Sequence, residues 1–375
     1  MKIKSLLTLV AGVATTVWSL PPEHLRVLQV SENETIEVPE SEKLNLLRRG
    51  VKFFDVTKHI SSLPFFNKEQ EPEVPAYAYP TEILNKEVVD GLISNIDKDS
   101  MYKNLAKFTS FYTRYYKSDF GLESANWLAA TIVNITQDVS RDFLNIDHFD
   151  HIEWKQYSII VRIMGLTNPE DIIVVGSHQD SINLLLPSIM AAPGADDNGS
   201  GTITNLEALR LYVENYLKVG HRPNNTVEFH FYSAEEGGLL GSLDVFTDYA
   251  KQGKQVRAML QQDMTGYVSN PEDEHVGIVT DYTTPALTNF IKLVIDSYLS
   301  IPYRDTECGY ACSDHGSATR NGFPGSFVIE SVFKKTNKYI HSTMDTLDRL
   351  SFDHMAEHTK IVLGTIIELG SWSNW

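Results

Sequence analysis

At 375 residues, 42 % hydrophobic and 22 % charged, the chain has enough apolar material for a large core, arranged as one large domain or two ordinary ones. A net charge of -17 and a pI near 5.1 exclude a nucleic-acid face built from clustered Lys and Arg. They leave a soluble surface with a weak pull on cations and metal ions.

Lys2 and Lys4 precede an apolar run from Leu6 to Val17, and Val17-Trp-Ser19 resembles a small-residue cleavage site. This is the pattern of a secretory signal peptide over residues 1–19, and the run is short for a bilayer span. No other stretch is apolar enough to cross a membrane, so a secreted, extracellular protein is expected, and it is taken to act as a monomer. Residues 20–80 differ in character from the remainder of the chain. They are rich in Glu and are punctuated by Pro72, Pro75 and Pro80. Pieces such as Val51-Lys-Phe-Phe54 could dock on a partner surface but could hardly form a core. The segment reads as a propeptide lying in cis over the domain formed by residues 81–375, ending near residue 80; a retained extension is the alternative.

Helical periodicity begins at Asn85 with Val88, Val89, Leu92, Ile93 and Ile96. It recurs over Met101 to Tyr112 and Leu122 to Val133. The tyrosines of Phe111-Tyr-Thr-Arg-Tyr-Tyr116 read as packing. A strand is expected over His151 to Ile163, and a fully buried one over Ile172–Val175. Ile203, Leu206, Leu209, Val213 and Leu217 keep helical spacing. Strands follow over Thr226–Tyr232, Val256–Leu260, His275–Thr280 and Phe327–Glu330, with helices over Ala286–Leu299 and Met355–Leu369. Such alternation implies an α/β fold: a central, mostly parallel mixed sheet flanked by helices, in a single domain.

Sequons stand at Asn33, Asn134, Asn198 and Asn224. Asn134 and Asn224 suit glycosylation; Asn198 adjoins an acidic residue of the candidate site and is expected bare. Cys308 and Cys312 are the only cysteines. A disulfide between them is favoured in a secreted chain, with two free thiols or half of a zinc site as alternatives.

Strand ends carry the chemistry. His178 and Asp180 end the Ile172–Val175 run, and Asp197 lies in the Gly-rich Ala195-Asp-Asp-Asn-Gly-Ser-Gly201. Glu235 and Glu236 follow the next strand, Asp263 the one after, and His341 lies in Ile340-His-Ser-Thr-Met-Asp345. Ligands in open α/β sheets collect beyond the carboxyl ends of strands. Two imidazoles with three carboxylates suit one or two zinc ions, with one carboxylate bridging a pair. One of the paired glutamates is then free to act as base, and Asp180 can orient His178. Singly, each residue is more often structural; His315 and His354 stay in that class.

Together, Gly176-Ser-His-Gln-Asp-Ser181, Ala192-Pro-Gly-Ala-Asp-Asp-Asn-Gly-Ser-Gly201, Ala234-Glu-Glu-Gly-Gly238, Gln262-Asp-Met-Thr265, Cys308-Gly-Tyr-Ala-Cys-Ser-Asp-His315 and Ile340-His-Ser-Thr-Met-Asp-Thr346 resemble the secreted dizinc aminopeptidases of bacteria and fungi, most closely the fungal extracellular leucine aminopeptidases. The similarity runs from about Tyr79 to Trp375. It implies two Zn2+ ions, one held by His178 and Asp263, the other by Glu236 and His341, with Asp197 bridging them. Glu235 would be general base and acid, and Asp180 the orienter. The resemblance also implies a cis Asp197–Asn198 peptide, a Cys308–Cys312 disulfide, and a hydrophobic pocket from Met264, Tyr310, Ile329, Phe333 and Ile340. The substrates would be peptides with a free N-terminus, preferably leucine or another large hydrophobic residue. Asn198 stands where some relatives have aspartate, which removes a charge but no ligand. A single-zinc glutaminyl-cyclase-like transferase and a metal-bearing binding ectodomain are the competing readings; the full ligand set and the free Glu235 argue against both.

Overall fold

The computed structural model describes residues 24–31, 34–59, 73–310 and 312–375. The expected signal peptide, the Asn33 sequon and most of the charged 68–73 stretch lie outside them.

The N-terminal part is a small folded unit. Strands β1 (Leu25–Ser31) and β2 (Glu34–Pro39) pair antiparallel, helix α1 (Glu40–Arg48) comes next, and β3 (Phe54–Asp55) pairs with the other edge of β1. Leu28, Leu46 and Phe53 meet at its centre, with Val30, Ile36, Val38, Leu47 and Val51 packed around them. The expectation that this segment could hardly form a core is therefore corrected. Each element contributes only one or two apolar residues, so no single stretch shows the periodicity by which a core is recognised.

Beyond the unit come α2 (Lys86–Ile93), α3 (Lys98–Phe108), α4 (Asp119–Thr136), β4 (Leu144–Phe149), β5 (Ser158–Ile163), β6 (Asn168–His178), α5 (Gly201–Tyr212), β7 (Asn225–Tyr232), α6 (Leu240–Lys251), β8 (Gln255–Gln262), β9 (Val276–Val279), α7 (Pro285–Tyr298), β10 (Tyr303–Thr306), α8 (His315–Arg320), β11 (Gly325–Ile329) and α9 (Phe352–Ser371). Side chains start several helices: Asp97 accepts from the Ser100 N–H, Ser118 from Gly121 and Ser351 from His354. The eight strands form one sheet in the order β10-β9-β11-β8-β6-β7-β5-β4. Its centre is parallel (β11, β8, β6, β7), whereas β9 against β11, β5 against β7 and β4 against β5 run antiparallel.

Alternation along the strands places side chains on two covered faces. Ile173 and Val175 of β6, with Val227, Phe229 and Phe231 of β7, enter the large core under α3, α4, α5, α7 and α9. Ile172, Val174 and Tyr232 enter the opposite core with Val245, Phe246 and Tyr249 of α6 and Ala318 of α8. Burial on both faces is why Ile172–Val175 reads as an uninterrupted apolar run. Glu228 and His230, also on the α6 face, are buried because they pair: Glu228 lies 2.5 Å from Arg162 and 2.7 Å from His230.

The expected strand over residues 151–163 begins only at Ser158. Before it, His151 joins Asp244 (2.9 Å) and Ser158 (2.8 Å), and Trp154 stacks on His151 and donates to Ser233. These side-chain contacts replace the ladder. Among the described residues no helix is long and apolar enough to cross a membrane.

Candidate metal centre

The register of β6 against β7 and β8 sets His178 opposite Tyr232 and Gly176 opposite Gln261. Three parallel strands thus end at one level: His178 closes β6, and the turns that leave β7 and β8 carry Glu235 with Glu236, and Asp263. Those turns are tight: Ala234, Leu239 and Met264 take positive φ, as does His341 on its own loop. Asp197 lies where the chain kinks into α5, and its peptide bond to Asn198 is cis. Gly201 begins that helix because a Cβ there would lie 2.3 Å from Asn198 Oδ1 and 2.5 Å from the Gln262 carbonyl.

Asp197 lies between the histidines. Its Oδ1 is 3.2 Å from His178 Nε2, and its Oδ2 is 2.9 Å from His341 Nε2. Asp263 Oδ1 lies 3.4 Å from His178 Nε2, and Glu236 Oε2 lies 3.1 Å from His341 Nε2. Two three-residue clusters result, His178–Asp197–Asp263 and Asp197–Glu236–His341, each with ligand atoms close enough for one ion. Glu235 belongs to neither; its nearer oxygen is 3.9 Å from His178 Nε2. His178 Nε2, Asp263 Oδ1 and Glu236 Oε1 are buried and make no hydrogen bond. Buried polar atoms without partners are costly, and convergent imidazole and carboxylate donors are what a zinc ion satisfies. The donor set fits that group.

Electrostatics agree. Burial pushes the Glu235 carboxyl well above the usual range, opposed by His178 and reinforced by Glu236 and Asp263. Burial likewise raises Glu236 to about 7, with His341 opposing and Asp197 adding. Burial would lower both imidazoles, but the facing carboxylates raise them instead. Such shared protons are what bound cations displace, since ligands must be deprotonated.

The surroundings hold these groups in place. Asp180 lies 3.4 Å from His178 Nδ1 and accepts the N–H groups of Glu235 (3.1 Å) and Glu236 (3.3 Å). Ser313 donates to Asp263 Oδ2 at 2.6 Å. Asn198 donates to the Gln262 carbonyl and accepts from Gly201 and Met264, so its fully buried amide leaves no room for a glycan. Arg114, within the aromatic stretch read as packing, is fully buried. It donates to the carbonyls of Gln179, Pro193 and Gly194, clamping the His178 and Asp197 loops together. Burial lowers its pKa to about 10, opposed by Asp345, Asp180, Asp197 and Glu236. A lone arginine among aromatics was the available signal, and it points as readily to surface coverage.

Met264, Ile329, Phe333 and Ile340 line the cavity beside the metal groups, together with Cys312 and Phe327. Tyr310 does not: its ring meets Phe54 edge-on at 5.7 Å and packs with Leu239 and Leu243. The N-terminal unit supplies Tyr310 with an apolar partner in this arrangement. Leu47, Lys52 and Phe53 of that unit line the same cavity as Glu235 and His341. Cys308 and Cys312 form a disulfide.

Residues 158–366 match the model of peptidase family M28. The chain is 82 % identical over 375 residues to the probable aminopeptidase YDR415C of Saccharomyces cerevisiae, covering all of both chains. It is 47 % identical over 350 residues to leucine aminopeptidase 1 of Trichoderma harzianum, covering 92 % of this chain and 86 % of the relative. The crystal structure of the Legionella pneumophila LapA aminopeptidase superposes with a TM-score of 0.80 at 28 % identity, covering 95 % of each chain. With its two ligand clusters and the free glutamate beside them, the chain belongs to peptidase family M28 and is a zinc-dependent aminopeptidase.

Proposed function

We propose that the protein is a secreted dizinc aminopeptidase that removes leucine and other large hydrophobic residues from peptides with a free N-terminus. The observation that carries this reading is Asp197, with one oxygen toward His178 and the other toward His341. In it, His178 and Asp263 would hold one ion and Glu236 and His341 the other, with Asp197 available to both. Two zinc ions, when bound, supply a polarised water and a Lewis acid for the scissile carbonyl. Glu235 takes the proton from the attacking water and delivers it to the departing amine. Asp180 fixes the His178 ring and the turn that carries both glutamates. Met264, Ile329, Phe333 and Ile340 receive the first side chain. One methylene in such a pocket is worth only about 1–3 kcal/mol, so the preference is broad.

Residues 20–80 act in this reading as a propeptide in cis that closes the cleft, supported by Lys52 and Phe53 lining it beside Glu235. Asn134, exposed on α4, is the better glycan acceptor; the Asn224 amide already donates to the Ser371 carbonyl. The decisive experiment combines metal analysis with hydrolysis of one leucine-terminal peptide and its N-acetylated form. Two zinc ions per chain, loss of activity with a chelator and no cleavage of the acetylated peptide are expected. Full activity in metal-free protein, or equal cleavage of both peptides, would overturn the reading.

A further inference from the structure

Asp345 ends the Ile340-His-Ser-Thr-Met-Asp345 motif, four residues after His341, and the proposed mechanism gives it no step. It is fully buried, on a loop that returns beneath Asp197. Its Oδ1 accepts the N–H of Asp196 at 3.0 Å, its Oδ2 accepts the N–H of Asp197 at 3.0 Å, and its backbone carbonyl accepts the N–H of Ala195 at 3.2 Å. Three successive peptide groups leading into the central carboxylate thus end on one residue. Asn337 Nδ2 braces the arrangement, 3.1 Å from Asp196 Oδ2 and 3.4 Å from Asp345 Oδ1.

The geometry repeats what Asp180 does on the other side of the site. Asp180 stands two residues from His178 and grips the consecutive N–H groups of Glu235 and Glu236. Asp345 stands four residues from His341 and grips those of Asp196 and Asp197. Each carboxylate ties the loop of one histidine to the turn that carries acidic ligands. Together they join four separate loops into one frame.

We infer that Asp345 is a positioning residue for the metal centre: it fixes the peptide of Asp197, and so the reach of Asp197 toward His341. This rests on the dizinc reading of the site. Without the two acceptor oxygens, the Asp196 and Asp197 N–H groups are buried and unpaired, and the turn rearranges to satisfy them. Asp197 then loses the orientation that serves both ions. Removal of a hydrogen-bonding group behind metal ligands typically weakens metal affinity about 10–100-fold.

The test compares full-length wild type with Asp345→Asn, which keeps one acceptor, and Asp345→Ala, which keeps none. Bound zinc is measured per chain against a competing chelator, and kcat and KM are followed for a leucine-terminal peptide as free zinc rises. The expected result is weaker binding of at least one zinc by about 10–100-fold in Asp345→Ala, with a smaller shift in Asp345→Asn. Activity should return in both as zinc is raised, with KM at saturating zinc close to wild type, because the pocket is untouched. Zinc binding that superimposes on wild type in either folded variant overturns the inference. So does lost activity that no zinc concentration restores. Should Asp345→Ala not fold, Asp345→Asn decides by the same criteria. Wild type that binds fewer than two zinc ions would instead count against the dizinc reading.

Discussion

The N-terminal unit and the metal centre face one cavity, yet they are held by different means. The metal groups stand on turns whose backbone N–H groups end on buried carboxylates, at the ends of strands covered on both faces. The unit has a core of a few residues and is attached by side-chain charges, by Phe54 and Val56 packed against Leu239, Leu243 and Tyr310, and by Arg48, which donates to the carbonyls of Leu184 and Leu185. Arg26 pairs with Glu153 at 2.7 Å, Lys117 with Glu40 at 2.6 Å, and Lys58 with Asp244 at 2.6 Å. The Lys117–Glu40 pair is part-exposed, and such pairs contribute about 0–1 kcal/mol, whereas Asp244 is buried. Gly238 makes one closer approach possible: it takes φ +96°, a Cβ there would meet the Phe53 ring at 2.8 Å, and its carbonyl accepts the Asp55 N–H. In the proposed propeptide reading, the frame of buried backbone bonds is the part that stays and the unit, held by charge pairs and an apolar contact, is the part that leaves.

The largest effect should come from the frame. Glu235→Ala is expected to retain zinc and fold but lose about 100- to 10,000-fold in kcat, the usual range for a general base. Unchanged kcat, or loss of metal together with activity, would remove Glu235 from that role. Next comes the cover. Phe53→Ala deletes a buried ring from the unit's own core, a change of about 3–5 kcal/mol in well-packed sites. Lys52→Ala removes the ammonium that reaches Cys308 Sγ at the cleft. If the unit closes the cleft, both raise the activity of the full chain, Phe53→Ala by more. Activity at or below wild type in both would show that the unit does not obstruct substrate.

The same contrast explains what the sequence made legible. Strands of the central sheet were readable because burial on two faces leaves runs such as Ile172–Val175, and the convergence of the histidines and carboxylates was readable because parallel strands end together. The residues that brace the site were less visible. Asp345 and Arg114 work through backbone groups of loops distant in the chain, so neither has a local period or a ligand-like spacing. The short edge strands β4 and β10 were missed because polar residues interrupt them: Asn145, Asp147 and His148 in one, Arg304 and Asp305 in the other. The three-stranded unit has the same difficulty at smaller scale, and the contact of Tyr310 with Phe54 of that unit was not legible either.

Acid should separate the two regions by a smaller margin. Burial works to raise the carboxyl of Asp244, but hydrogen bonds from His151, His59 and Lys58 outweigh it and hold the group below the ordinary range. Burial also opposes the shift of Glu40, which Lys43, Lys117 and Arg26 draw down to about 2. Carboxyls depressed in the folded state stabilise above their unfolded pKa, about 4, and lose that contribution as pH falls toward the folded value. Contacts of the unit should therefore survive at pH 5 and weaken only below about pH 4. Hydrogen exchange of the β1 and β3 amides tests this; protection already lost at pH 6 would rule out these carboxylates as the attachment.

The smallest effect should arise where the two regions touch the disulfide. Cys308 and Cys312 are four residues apart, so the loop they close is short and its removal costs about 2 kcal/mol at most in the chain-entropy account. Asp281 already holds the loop by accepting the N–H groups of Cys308 (2.9 Å) and Gly309 (2.7 Å). A Cys308→Ser, Cys312→Ser double variant should thus unfold in denaturant within about 2 kcal/mol of wild type. Its activity should change through access to the cleft: Cys312 lines the pocket, and Lys52 and Phe54 rest on this loop. A much larger loss of stability would mean that the loop braces the whole frame, and the proposed division between frame and cover would have to be redrawn at residue 308.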